Sequence, residues 1–250
     1  MLTYNLTQER IEVLKDFQKK YNLEFKDISL LNQAFIHSSF VQENNLEVLA
    51  CYERLEFLGD AVLKLAISEI LYKTFPKYQE GKMTNIRAQL VSDRNIFEYS
   101  KKLGFEELII LGKNEKKHGG QKKESILACA FEALLGAIFL EYKENGFKKA
   151  LEFLKENFEK EILEGEKNSI LFNPKAILQE YTQSINHTLP IYKKTDETGL
   201  AHDKTFFIEV EFENKIIGKG SAKTIKQAQQ EAALDAIRNL KINVEGEENE

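Results

Sequence analysis

Three carboxylates, at positions 53, 56 and 60, constrain this chain more than any other feature of it. They lie in Tyr52-Glu53-Arg54-Leu55-Glu56-Phe57-Leu58-Gly59-Asp60-Ala61-Val62, which continues through Leu71 without a proline. Such composition predicts one helix running on from about Glu53. At about 100° per residue, Glu53, Glu56 and Asp60 fall within an arc of roughly 60°, and Leu55, Leu58, Val62 and Leu65 lie on the opposite side, toward a core. Acids at this spacing are most often a solvated helix face. Two features oppose that reading here. The helix is apolar nearly all round, and Phe57 and Ala61 share its acidic side. Carboxylates crowded in an apolar setting stay charged only if a cation sits among them. Oxygen ligands with no histidine nearby suit Mg²⁺ or Mn²⁺ rather than zinc.

The totals leave room for one large domain or two ordinary ones in 250 residues. No apolar run reaches the length of a membrane span, and the start does not read as a signal peptide, so a cytoplasmic protein without membrane contact is expected. Cys51 and Cys129 make no metal spacing and are expected as reduced thiols. The net charge of −5 does not exclude a nucleic-acid partner, because phosphate contact depends on local potential, and Glu245–Glu250 supplies part of the total.

The first half reads as helical. Thr7 is expected to cap a helix carrying Ile11, Leu14, Phe17 and Tyr21. Ser29 is expected to cap a second, with Leu30, Leu31, Ala34 and Phe35, running into His37-Ser38-Ser39-Phe40. His37 is assigned a structural role through contacts to neighbouring backbone. Phe75-Pro76 breaks the acidic helix, and Thr84 is placed as the cap of a helix with Ile86, Ala88, Leu90 and Val91. Lys113, Lys116, Lys117, His118, Gly119, Gly120, Lys122 and Lys123 read as a mobile loop.

That loop opens onto an apolar helix, Ser125 to about Glu141. Around Glu132 lie Ala128, Cys129, Leu135, Gly136 and Phe139 on the same face. A lone glutamate in an apolar stripe is costly to bury unless it is paired or bound to an ion. A helix from Ala150 to Glu164 closes the region.

The remainder has a different grammar. Asn173-Pro174 opens a helix carrying Ala176, Ile177, Leu178 and Tyr181. Phe206, Ile208, Val210 and Phe212 alternate with Phe207, Glu209, Glu211 and Glu213 as a half-buried strand. Glu213-Asn214 turns that strand into Lys215-Ile216-Ile217-Gly218-Lys219, and Ile225, Ala228, Ala232, Ala236 and Leu240 mark a last helix.

Glu53-Arg54-Leu55-Glu56-Phe57-Leu58-Gly59-Asp60 resembles the signature of the ribonuclease III family, whose members cut double-stranded RNA. Arg87-Ala88-Gln89-Leu90-Val91 and Ala130-Phe131-Glu132-Ala133-Leu134-Leu135-Gly136-Ala137 resemble it too. Leu178-Gln179-Glu180-Tyr181, Gly199 to His202 with Lys204, and Gly218-Lys219-Gly220-Ser221 leading to Lys223 and Lys226 resemble the double-stranded-RNA-binding domain. The resemblance implies an all-α nuclease domain at 1–164, a linker at 165–172, an α-β-β-β-α binding domain at 173–241 and an acidic tail at 242–250.

The resemblance further implies a homodimer whose partner meets Phe57, and a Mg²⁺ ion (or Mn²⁺) on Glu56, Asp60 and Glu132, with Glu53 accessory and Asp60 and Glu132 catalytic. Gln179 and Glu180 would meet the minor groove of an RNA duplex, His202 the next groove, and Lys223 and Lys226 the phosphates. The activity implied is cleavage of double-stranded RNA to 5′-phosphate and 3′-hydroxyl ends, in processing ribosomal, messenger and transfer RNA precursors. Two positions depart from the pattern. Ile225 stands where a lysine is usual, and Cys129 stands where the family has aspartate, one helical turn before Glu132. A thiol adds no charge to a Mg²⁺ site. The alternative is therefore a catalytically impaired binder of double-stranded RNA on the same scaffold.

Overall fold

A helix begins where a side chain can receive the free N–H groups of its first turn. Thr7 does this for α1 (Gln8–Lys20), accepting from the Arg10 amide, and Leu14 and Phe17 of that helix are buried. Asp27, not Ser29, caps α2 (Ile28–Gln33): its carboxylate accepts from both the amide and the hydroxyl of Ser29. The helix stops at Gln33, so His37 begins a separate helix, α3 (Ser38–Glu43), instead of ending the second. The computed structural model describes residues 6–167, 174–199 and 203–242.

Downstream, α4 (Glu53–Thr74) carries the acidic stripe and ends at Phe75. Leu55, Val62, Leu63, Ala66 and Ile67 are buried, whereas Leu65 is 56% exposed and does not face the core. A helix that is apolar nearly all round leaves its rotation to its neighbours, and these turn Leu65 outward. α5 (Glu80–Leu90) starts one turn before Thr84, whose hydroxyl donates to Glu80 from inside the helix. Then follow α6 (Asp93–Lys102) and α7 (Phe105–Leu108). The lysine-rich stretch is not an open loop. It folds into α8 (Lys113–Lys117) and a 3₁₀ turn at Gly120–Lys122, joined at Gly119 with φ +76°. α9 (Glu124–Glu141) is the most buried helix of this unit, and α10 (Gly146–Lys167) runs three residues into the expected linker. Phe35, Phe105, Phe131, Phe153 and Phe158 fill the core between these helices.

The chain divides after Leu163. In the second unit α11 (Pro174–Asn186) is followed by β1 (Ile191–Thr198), β2 (Thr205–Phe212), β3 (Lys215–Ala222) and α12 (Ile225–Asn239). The sheet is antiparallel in the order β1-β2-β3. Ile208, Val210 and Phe212 are buried, and Glu213 and Asn214 both take positive φ in the tight turn that reverses the chain. Gly218 and Gly220 let α12 lie against β3. A Cβ at Gly220 would come 2.2 Å from the Ala232 nitrogen. Ile225 is 45% exposed at the start of α12 and contributes little to its core. The expected Asn173 cap and the acidic tail lie outside the described residues. Among the described residues no helix is long and apolar enough to cross a membrane.

Candidate active site

The site forms where α4 and α9 cross with their backbones in contact. A Cβ at Gly59 would lie 1.7 Å from the Glu132 carbonyl oxygen, and one at Gly136 would lie 2.2 Å from that of Leu55. Only glycine permits this approach. It lays the backbone of Glu132 against the turn of α4 that ends in Asp60.

Electrostatics follow from that placement. Burial, then the charges of Asp60, Glu56 and Asp93, push the Glu132 carboxyl up to about 7, and Lys64 opposes them. Glu56 is raised as well, by burial first, with Glu53, Asp60 and Asp93 adding to it and the Cys129 thiol opposing. Glu53 stands exposed at the first turn. Asp60 is half-exposed and pairs with Lys64 at 2.7 Å, one helical turn on. Cys129 is a free thiol whose ionisation is pushed up to about 12 by burial and by Glu56, so it stays neutral. Among the described residues, no three acidic, histidine or cysteine side chains are gathered closely enough to hold an ion as they stand. The carboxylates share a field, not yet a common point.

This donor set suits a hard divalent cation. Its groups are carboxylate oxygens, and a cation would relieve the repulsion that adds to burial in raising Glu132 and Glu56. Cys129 offers a soft, neutral sulfur and does not belong to such a set.

Around the site, His37 caps α3: its Nδ1 accepts from the Ser39 amide at 3.1 Å and contacts the Ser39 hydroxyl at 2.7 Å. Burial lowers its pKa, in keeping with a neutral structural ring. Of the nearby lysines, Lys123 pairs with Glu115. Phe57 is 83% exposed, and Leu65 and Tyr72 follow it as exposed apolar side chains on α4. Leu65 and Tyr72 line a groove of about 380 Å³ together with Leu71, Met83, Ser68 and Arg87.

In the second unit Gln179 and Glu180 stand exposed on α11. Lys223 and Lys226 are exposed at the start of α12, whose N-cap Thr224 accepts from the Gln227 amide. Lys223 pairs with Asp203 at 2.7 Å, which ties the β1–β2 connection to the head of α12. His202, in that connection, lies outside the described residues. Lys175 reaches Gln229 at 2.7 Å and joins the two helices.

Sequence reading missed two charged groups that act on these acids. Lys64, one turn beyond Asp60, could have been found from i, i+4 spacing. Asp93 has no local signal, since an acid at a helix start reads as a complement to the helix dipole.

Residues 27–162 match the family model described as Ribonuclease-III-like, and residues 174–240 that of the double-stranded RNA binding motif. The chain is 39% identical over 229 residues to Ribonuclease 3 of Enterococcus faecalis, covering 92% of this chain and 98% of that protein. It is 40% identical to Ribonuclease 3 of Listeria welshimeri, covering 90% and 97%. Among solved structures, the nuclease domain of ribonuclease III from Campylobacter jejuni is 37% identical and superposes with a TM-score of 0.52, over 58% of this chain and 98% of that one. Its region involved in dimer formation is described as flexible.

Proposed function

The chain belongs to the ribonuclease III family, and we propose that this endoribonuclease cuts double-stranded RNA with a divalent cation held by Glu56, Asp60 and Glu132. The observation that carries the proposal is the pair of touching backbones at Gly59 and Gly136, which sets Glu132 among the acids of α4. Nothing in the packing of an apolar core requires a glutamate there.

A bound Mg²⁺ or Mn²⁺ would polarise the scissile phosphate, lower the pKa of a bound water and offset charge on the leaving oxygen. The protein's own groups do the rest. Glu132 and Asp60 would offer carboxylate oxygens from two different helices, and a cation between them would favour the ionised form of Glu132, whose pKa is otherwise raised to about 7. Glu53, exposed and acting electrostatically on Glu56, serves as an accessory acid at the solvent side. The second unit supplies affinity for the duplex. Gln179 and Glu180 meet a minor groove, His202 meets the next one, and Lys223 and Lys226 hold phosphate. The ends expected are 5′-phosphate and 3′-hydroxyl with a short 3′ overhang. The substrates are structured precursors of ribosomal, messenger and transfer RNA, in the cytoplasm.

Two protomers would pair through the outer face of α4, where Phe57, Leu65 and Tyr72 leave apolar surface in water and a groove lies beside them. Each protomer then brings one carboxylate cluster to one strand. Replacing Phe57→Ala should move the full chain from dimer toward monomer in sedimentation.

Cys129 favours a second reading, a binder of double-stranded RNA that does not cut. Incubation with a long RNA duplex decides between them, with Mg²⁺, with Mn²⁺ and with chelator. Metal-dependent cutting that disappears in Glu132→Gln while binding persists supports the nuclease. Binding without cutting under either metal sinks it. Under the nuclease reading Cys129→Asp should raise Mg²⁺-supported cutting.

A further inference from the structure

We propose that Asp203 and Glu197 set the affinity of the C-terminal unit for double-stranded RNA, by occupying in the free protein the ammonium groups that duplex phosphate must take. This rests on the reading of the unit as a binder of double-stranded RNA, and adds to it the acids that compete with the ligand.

Placement is the first argument. Lys223 directly precedes Thr224, the N-cap of α12, at a helix end whose free amides favour an anion. The anion that Lys223 holds is a carboxylate of the protein itself, Asp203, at 2.7 Å. A closed connection carries it there. Gly199 takes φ +101°, and a Cβ there would lie 2.4 Å from the Asp203 carbonyl oxygen, so Gly199 and Asp203 touch across the β1–β2 connection. Glu197, near the end of β1, engages two lysines at once, Lys204 at 2.8 Å and Lys194 at 3.0 Å. Its carboxyl is held below the usual carboxylate range, by the hydrogen bond from Lys204 first and that from Lys194 next.

The charge left for RNA is the second. Among the described residues Lys226 enters no ion pair, whereas Lys194, Lys204 and Lys223 are each matched by an acid. Ile225, between Lys223 and Lys226, adds no cation of its own. The surface is rich in lysine and yet offers RNA little uncompensated charge.

Weakness of the pairs is the third. Lys223 and Asp203 are 60% and 66% exposed, and exposed ion pairs contribute little stability. Phosphate can therefore displace these acids without disturbing the fold. Each exchange puts a phosphate where a carboxylate was, and leaves the freed acid beside the negative charge of the duplex. Binding is then weaker, and less steep in salt, than the number of lysines implies. An acid whose purpose was to brace the connection against α12 would act in the opposite sense, and its loss would weaken binding.

The test is binding of the full chain to a blunt RNA duplex of about 20 base pairs, longer than the ~16 that such a domain spans. Fluorescence anisotropy reads it, with chelator present so that neither strand is cut. Asp203→Asn should bind about three- to tenfold tighter at about 0.1 M KCl, with a salt dependence steeper by about one ion. Glu197→Gln should shift binding in the same direction. Glu231→Gln is an equal change of charge at an exposed position of α12 that has no ion pair among the described residues. It should stay within about twofold of the parent, since its charge acts only through screening solvent. In a Lys223→Ala background, Asp203→Asn should lose most of its effect, because the two side chains act on each other. Unchanged or weaker binding in Asp203→Asn would overturn the proposal, and so would a gain of the same size in the Lys223→Ala background. If Lys226→Ala binds the duplex as the parent does, the reading of this surface as the RNA-binding one has failed instead.

Discussion

In the helical unit the candidate acids are crowded and partly buried where two helix backbones touch, and burial, with repulsion added to it, raises both Glu56 and Glu132. In the C-terminal unit the residues assigned to RNA (Gln179, Glu180, Lys223 and Lys226) stand exposed on helices that only need to be held still. The difference is between a site made by packing and a surface carried by packing. In the first, changing the frame changes the chemistry. In the second, each side chain can be removed with a small and separable effect.

The largest expected effect comes from breaking the frame of the first. Gly136→Val puts a side chain where Leu55 already has its backbone, so α4 and α9 must part. Overpacking of this kind costs about 3 kcal/mol, the upper end of its usual range. Cleavage should fall more than a hundredfold even under conditions where circular dichroism shows a folded chain, because the Glu132 backbone is no longer laid against the acidic turn of α4.

The comparison sharpens at Gly220. The C-terminal unit also depends on glycine for close approach, since β3 lies against α12 there. Gly220→Val should therefore unfold or loosen that unit and lower duplex affinity by ten- to a hundredfold. The helical unit should keep its melting transition and cut slowly at high RNA concentration. A joint loss of both transitions would contradict the independence of the two units.

Smaller still is Lys226→Ala. One phosphate contact removed should weaken duplex binding severalfold for any sequence and make the salt dependence shallower by about one ion. Lys223→Ala should cost less, because that ammonium already shares its charge with Asp203. Equal losses would break the ranking.

What the sequence made legible is what local pattern controls. The acidic stripe of α4, the lone glutamate of α9 and the alternation of β2 follow from periodicities of 3.6 and 2, and the structure has them where expected. Position within a crowded helix was harder. Leu65 belongs to an apolar stripe by angle, yet points to solvent because neighbouring helices set the rotation. Asp27 and Ser29 are both good caps two residues apart, and only the backbone path selects Asp27. The lysine-rich turn read as a loop because lysines and paired glycines promise no core. Its two short helical turns are stabilised by ties to other segments, such as the Lys113 amide to Glu43 and the Gly112 amide to Ser39. Asp93 was invisible for a stronger reason. Its electrostatic influence on Glu56 and Glu132 depends on how α6 docks on α9, which no spacing within α6 records.

The smallest effect expected is also the one that separates the two units without a change in fold. Glu132 is held with a pKa of about 7 against an ordinary value of 4.5. An acid whose folded pKa is raised binds its proton more tightly when folded, so the stability it contributes is present at low pH. That stability is lost between about pH 4.5 and 7 and is level above that. The protein stripped of divalent ions should thus melt at a lower temperature at pH 8 than at pH 5.5 in its helical unit. Glu56, raised in the same direction, adds to the trend, and the coupled pair titrates as a unit. Under the metal-dependent reading, saturating Mg²⁺ would bind the ionised form and should recover more melting temperature at pH 8 than at pH 5.5. In Glu132→Gln the pH slope should flatten and the recovery by Mg²⁺ should shrink. The C-terminal unit, whose exposed RNA-facing groups are not crowded in this way, should melt with little dependence on either. A helical unit whose melting is equally indifferent to pH and to Mg²⁺ would mean that its acids never interact, and the contrast between the two units would be lost.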